Sequence, residues 1–234
     1  MSEAVKHGTL YIVSTPIGNL EDITIRGVNV LSNVDLIAAE DTRKTKILLD
    51  RYNVQKPLVS YYSYNEARRT PELISKLKNG LSIALVSEAG TPGISDPAFR
   101  IIRTALDEGI PVIPIPGPTA FLPALIVSGL STERFVFEGF LPTKKGRRTA
   151  LEQLRKEDRT IILYESPHRL LRTLHDLHNV LGDREISVSR ELTKRFEEVV
   201  RGKISEVISH FSSHTIRGEF VLVIKGSPSP QKAI

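Results

Sequence analysis

The 234-residue sequence contains no cysteine, which excludes a disulfide framework and any metal site built on thiolates. The opening stretch, MSEAVKHGTLYIVSTP, holds no apolar run long enough for a signal peptide or a membrane span. A soluble, cytoplasmic protein without membrane association is therefore expected. Neither G-x-G-x-x-G nor G-x-x-x-x-G-K-[ST] occurs, which argues against a dinucleotide fold of the usual type and against an NTPase phosphate loop. GISDP begins like a hydrolase nucleophile elbow, but Pro97 stands where the last Gly is needed and no histidine context supports a triad. No fixed-period repeat is found. His168, His175 and His178 fall on one expected helix without a carboxylate pattern beside them, so they read as exposed helix residues, and no metal site is expected.

What is present is an ordinary globular composition, 40% hydrophobic, with 32 Lys and Arg against 27 Asp and Glu. The excess of +5 suits a polyanionic partner without requiring one. In the first half, apolar runs at 9–14, 35–40, 82–87 and 111–115 lack strict alternation, as strands of a parallel sheet covered on both faces do. Helical patterns separate them. One is expected over 71–79, capped by Thr70, with Pro71 in its first turn and Gly80 at its end. Two α/β domains are expected, 1–118 and 119–234, with the change of character near residue 120. The second half reads as strands around 134–140, 160–165, 185–192, 197–202 and 219–226. Helices are expected over the basic run 144–157, from 166, where Ser166 caps and Gly182 ends it, and over 204–211. The tail KGSPSPQKAI is expected to be unstructured.

Three Pro/Gly turns follow three first-domain strands: TPIGN, EAGTPGISDP and PGPTA. In an open α/β sheet the ligand crevice lies outside the carboxyl ends of the strands, so these turns are candidates to line one small-molecule pocket. The residues concerned are Pro16, Gly18, Glu88, Ala89, Gly90, Thr91, Pro116 and Gly117. A fourth strand end, AEDTRKT, adds Asp41 and Arg43. Cations gather at Arg43 and in KKGRR, where Lys144, Lys145, Arg147 and Arg148 suit phosphate contacts as well as they suit a solvated face.

GTLYIVSTPIGNLEDIT, DLIAAEDTR, GTPGISDP, PIPGPTA, FEGFLP, YESPHRL, RELTKRFEE and GEFVLV stand in order from residue 8 to about 224. With these motifs the chain resembles the tetrapyrrole-methylase superfamily and, within it, the bacterial ribosomal RNA 2′-O-ribose cytidine methyltransferases. The resemblance implies two α/β domains with S-adenosylmethionine held in a crevice between them. It also implies a homodimer, and methylation of one cytidine ribose in the decoding region of 16S ribosomal RNA, free or in the assembled small subunit. It brings Ser166 into the cofactor set and Asp41, Glu88 and Lys194 toward the chemistry, although each of those three is equally suited to a structural ion pair or hydrogen bond. Two residues depart from the family pattern: Glu88 stands where Asp is usual, and Ala98 where Gly is usual. A tetrapyrrole methyltransferase would share the cofactor loops but have less use for KKGRR, and a non-catalytic RNA-binding module would need no elaborate crevice.

Overall fold

The computed structural model describes residues 5–227, which form two compact units meeting between Thr119 and Ala120. In the first unit, strands and helices alternate: β1 (Leu10–Val13), α1 (Ile25–Asn33), β2 (Leu36–Ala39), α2 (Thr42–Arg51), β3 (Leu58–Ser60), α3 (Glu66–Lys78), β4 (Ile83–Val86), α4 (Phe99–Asp107) and β5 (Val112–Ile115). The strands form one sheet in the order β3-β2-β4-β1-β5, and every pair is parallel.

Alternation along these strands explains why they read as continuous apolar runs. Tyr11, Val13, Ile37 and Val86 face one side and pack on Val30 and Leu31 of α1 and Leu48 and Leu49 of α2. Leu10, Ile12, Ala38 and Leu85 face the other and pack on Leu73 and Leu77 of α3 and Ile101 of α4. The strands β1, β2 and β4 are buried on both faces, so none of their positions favours a polar residue. The helices that follow the neighbouring strands β1 and β4 thus leave on opposite faces. Their strand ends form a topological switch point, the place where an open α/β sheet leaves room for a ligand.

The second unit contains α5 (Phe121–Val127), β6 (Phe135–Phe140), α6 (Arg147–Arg155), β7 (Thr160–Glu165), α7 (Leu170–Leu181), β8 (Glu185–Arg190), β9 (Glu198–Lys203), α8 (Ile204–Ser212) and β10 (Phe220–Ile224). Its sheet runs β6-β7-β10-β8-β9; β6 and β7 are parallel and the other pairs antiparallel. Leu163, Leu222, Ile186 and Val188 pack on Leu174 and Leu177 of α7 and Val207 of α8, while α5 packs against β7, β8 and β10.

Several local expectations are corrected. α3 starts at Glu66, with Pro71 inside it. Thr70 does not cap, because its buried hydroxyl is engaged with the Tyr61 hydroxyl at 3.0 Å. Ser166 does not cap α7, which begins at Leu170: the Glu165 carboxylate holds the Ser166 amide at 2.7 Å and Arg169 Nε at 2.7 Å, fixing a turn ahead of the helix. Gly182, with φ of +78°, does end it. The basic helix begins only at Arg147, since Gly146 in the left-handed region forces Lys144 and Lys145 into the preceding turn. The short, half-buried β3 is an addition. Residues 228–234 of the tail lie outside the described residues.

Leu174 is fully buried against the second sheet. Leu174→Ala is expected to destabilise the protein by about 2–5 kcal/mol, read as a lower urea midpoint with an unchanged m-value.

Candidate active site

The switch point brings the three Pro/Gly turns together, because β4, β1 and β5 are consecutive in the sheet. After β1 and β4 the chains pair once more: Thr15 N–H donates to Gly90 O at 2.8 Å and Gly90 N–H donates to Thr15 O at 2.9 Å. Gly90 makes this return with φ of +85°, a conformation that side-chain-bearing residues rarely adopt. The third turn is attached through hydroxyls. Ser14 Oγ and Thr91 Oγ1 lie 2.8 Å apart, and Thr91 Oγ1 donates to Pro118 O at 3.0 Å. Gly117 seats directly on Ser14, where an added Cβ would come within 2.8 Å of the serine Cβ. Pro16 is buried, whereas Gly18, Ala89, Pro116 and Gly117 are exposed. The result is a rim of backbone amides and carbonyls, with few side chains, on a floor of tied hydroxyls.

The neighbouring strand end carries acids. Asp41 caps α2, accepting from Arg43 N–H at 2.8 Å, and its carboxylate also meets the Arg43 guanidinium at 2.9 Å. The Arg43 side chain and then its amide hold the Asp41 carboxyl down at about 2, so this residue is a fixed anion with no proton to exchange near neutral pH. Glu88 is ion-paired with Lys44, and its amide donates to Glu40 Oε2 at 3.1 Å. Lys194 belongs to the second unit, where it bridges Glu191 at 2.9 Å and Glu219 at 2.8 Å. Burial works against its charge, but the two carboxylates outweigh burial and raise its pKa, so it stays an ammonium. Asp41 and Lys194 thus have structural partners and are ill-suited to act as bases.

Asp96 is the residue that sequence reasoning missed, because Asp before Pro reads as turn chemistry. Burial, and next the Glu40 carboxylate, push its carboxyl up to about 7, with Ser87 as its hydrogen-bonding neighbour pulling the other way and Glu88 adding to the rise. Glu88 and Asp96 share the loop after β4, and the adjacency of β2 and β4 brings Glu40, at the end of β2, into range of them.

The basic cluster divides. Lys144, Lys145 and Arg148 are exposed, but Arg147 is only 5% exposed. Its Nε donates to Asp176 at 2.8 Å, one terminal nitrogen to Pro142 O at 3.1 Å and the other to Thr173 Oγ1 at 2.9 Å. Thr173 in turn donates to the buried Glu165 at 2.6 Å. Arg147 therefore holds the start of α6 to α7 and is not a phosphate contact. The Arg43 guanidinium is exposed at the other strand end while paired with Asp41. Among the described residues no group of three His, Asp or Glu is placed to hold a metal ion, and no helix is long and apolar enough to cross a membrane.

Residues 9–208 match the family model described as Tetrapyrrole (Corrin/Porphyrin) Methylases. The chain belongs to this family. Relatives named Ribosomal RNA small subunit methyltransferase I include one from Synechocystis, 54% identical over 94% of this chain and 80% of its own length, and one from Thermotoga maritima, 50% identical over 94% of this chain and 99% of its own. Two crystal structures share the fold. A diphthine synthase gives a TM-score of 0.73 at 14% identity, over 93% of this chain and 90% of that one. The uroporphyrin-III C-methyltransferase of Thermus thermophilus, complexed with S-adenosyl homocysteine, gives 0.66 at 17% identity, over 93% and 97%.

Two outcomes follow from this geometry. Arg147→Ala removes the buried guanidinium that joins Asp176, Thr173 and Pro142 O and is expected to destabilise by about 1–3 kcal/mol, whereas Arg148→Ala stays within about 0.5 kcal/mol in the same denaturation series. Asp96 has a raised folded-state pKa, so its contribution is complete below about pH 4 and is lost as pH rises through about 7. Asp96→Asn should remove that loss, leaving the variant less pH-dependent between those limits and at least as stable as the wild type at pH 8, as measured by thermal melts across pH.

Proposed function

We propose that this chain is an S-adenosylmethionine-dependent methyltransferase of small-subunit ribosomal RNA, acting on the ribose 2′-hydroxyl of a cytidine in the decoding region as a cytoplasmic homodimer. The observation that carries the reading is the identity of 50–54% along 94% of the chain to relatives named for that RNA class. The solved structures with other names resemble it at only 14–17% identity.

The strand-end rim suits the cofactor, which supplies an electrophilic methyl on a sulfonium and also presents an ammonium, a carboxylate and an adenine. Such a ligand needs backbone donors and acceptors close by; Gly18, Ala89 and Gly117 are exposed there with no large side chain to cover the backbone, and Gly90, with both backbone groups bonded to Thr15, fixes the turn. Pro16, Thr91 and Pro116 hold the rim's shape. Glu88, paired with Lys44, supplies a carboxylate at its edge. Positioning of the attacking oxygen in line with the methyl provides much of the acceleration in such a transfer. Asp41 serves by fixing the start of α2 and the Arg43 guanidinium, and Lys194 by fixing the loop after β8 through its two carboxylates. Lys144, Lys145, Arg148 and Arg43 supply exposed charge for RNA phosphates.

Four measurements test this reading. Gly117→Val drives a branched side chain into Ser14 and should weaken calorimetric binding of S-adenosylmethionine at least about tenfold; full-strength binding would remove the rim from the cofactor site. The triple Ala variant of Lys144, Lys145 and Arg148, with Arg147 kept, should weaken small-subunit binding and flatten its logarithmic salt slope by up to about 2–3, while cofactor binding stays at the wild-type level. Light scattering should give twice the chain mass of 26.1 kDa, and mass spectrometry of ribosomal RNA from a strain lacking this chain should show one cytidine without its ribose methyl.

A further inference from the structure

The loop that makes the rim at Gly90 continues through Gly93 and Ser95, both at positive φ, and its far end forms the wall of a separate cavity of about 520 Å³ in the first unit. The opposite wall is the turn between β3 and α3. Ser63, Glu66, Asp96, Phe99, Arg100 and Arg103 line this space. Three features distinguish it from an ordinary surface dimple. Phe99 is 80% exposed at its mouth, and Tyr64, next to the lining residue Ser63, is 95% exposed. Tyr62 stands edge-on to Tyr64 with ring centres 6.4 Å apart, so the exposed ring is propped by a second one. Guanidinium groups interleave with the rings: Arg100, which reaches Glu66 at 3.4 Å, and Arg103, paired with Asp107, leave more than half of their side chains exposed, and Arg68 lies exposed on the adjoining turn of α3.

Open aromatic faces beside cations, with hydrogen-bonding groups recessed between them, match the chemistry of a single-stranded nucleic acid. Base stacking needs the rings, the phosphates need the arginines, and a base edge needs polar acceptors such as Ser63, Glu66 and Asp96. A purely apolar partner would strip water from these carboxyl and guanidinium groups without replacing its hydrogen bonds. We propose that this cavity receives an unstacked nucleobase of a single-stranded RNA segment, with Phe99 and Tyr64 as stacking surfaces and Arg68, Arg100 and Arg103 on its phosphates. The proposal rests on the RNA-substrate reading and adds to it a second contact surface in the first unit, apart from KKGRR in the second.

The test uses the full chain, a labelled 12-nucleotide single-stranded RNA, a 12-base-pair RNA duplex and small-subunit ribosomal RNA, read by fluorescence anisotropy and filter binding. Phe99→Ala and Tyr64→Ala should each weaken single-strand binding by about 5- to 100-fold, with duplex binding changed less than about twofold. Phe99→Tyr and Tyr64→Phe should restore affinity to within about threefold of the wild type, since the ring face is kept. S-adenosylhomocysteine binding and the light-scattering mass serve as controls and should match the wild type. Wild-type single-strand affinity in both Ala variants would overturn the proposal while leaving the RNA-substrate reading intact. A change of mass in the Ala variants would overturn it in favour of a face between two copies of the chain. A wild type that binds none of the RNAs would overturn the RNA-substrate reading itself, and this proposal with it.

Discussion

The two reciprocal hydrogen bonds between Thr15 and Gly90 tie together strand ends that would otherwise diverge. α1 and α4 leave β1 and β4 toward opposite faces, and such a divergence opens a gap at the carboxyl edge. A single bridge across that gap, closed by a glycine at φ of +85°, turns it into a rim of fixed backbone. Gly117 against Ser14, and Thr91 between Ser14 and Pro118, add the β5 turn to the same frame. The geometry is inexpensive in side chains. That suits a cofactor with charges of both signs, because backbone dipoles can face either.

The charged residues sort by their surroundings. Asp41 and Lys194 have their charges fixed by partners, Asp41 by Arg43 and Lys194 by Glu191 and Glu219. Among the described residues, only Asp96, pressed by burial and by Glu40, is moved into the neutral range. A carboxyl in that range is ordinarily a feature of functional surroundings, and here it lies on the loop shared by the rim and the aromatic cavity. Arg147 shows the opposite outcome: a residue in a basic run that the fold uses for a buried network through Thr173 to Glu165.

The sheet of the first unit and the three turns were legible in the sequence because both depend on local chemistry. Doubly covered strands must be apolar throughout, and a backbone-lined rim must be built from Gly and Pro. The ends of the helices were less legible, since they depend on distant partners. Thr70 has the right side chain for a cap but spends it on Tyr61, and Ser166 is displaced from that role by Glu165. β3 is three residues long and lies at the sheet edge, below the length at which a pattern can be seen. Arg147 and Asp96 could not be separated from their neighbours by sequence, because burial and the convergence of Glu40, Glu88 and Asp96 are properties of the folded chain.

Amide hydrogen exchange with and without S-adenosylhomocysteine tests whether the three tied turns seat the cofactor. The ligand should slow exchange in peptides covering 14–19, 88–93 and 116–119, with little change in those covering the outer turns of α2 and α3. Protection confined to other segments, with these three unaffected at saturating ligand, would place the cofactor elsewhere.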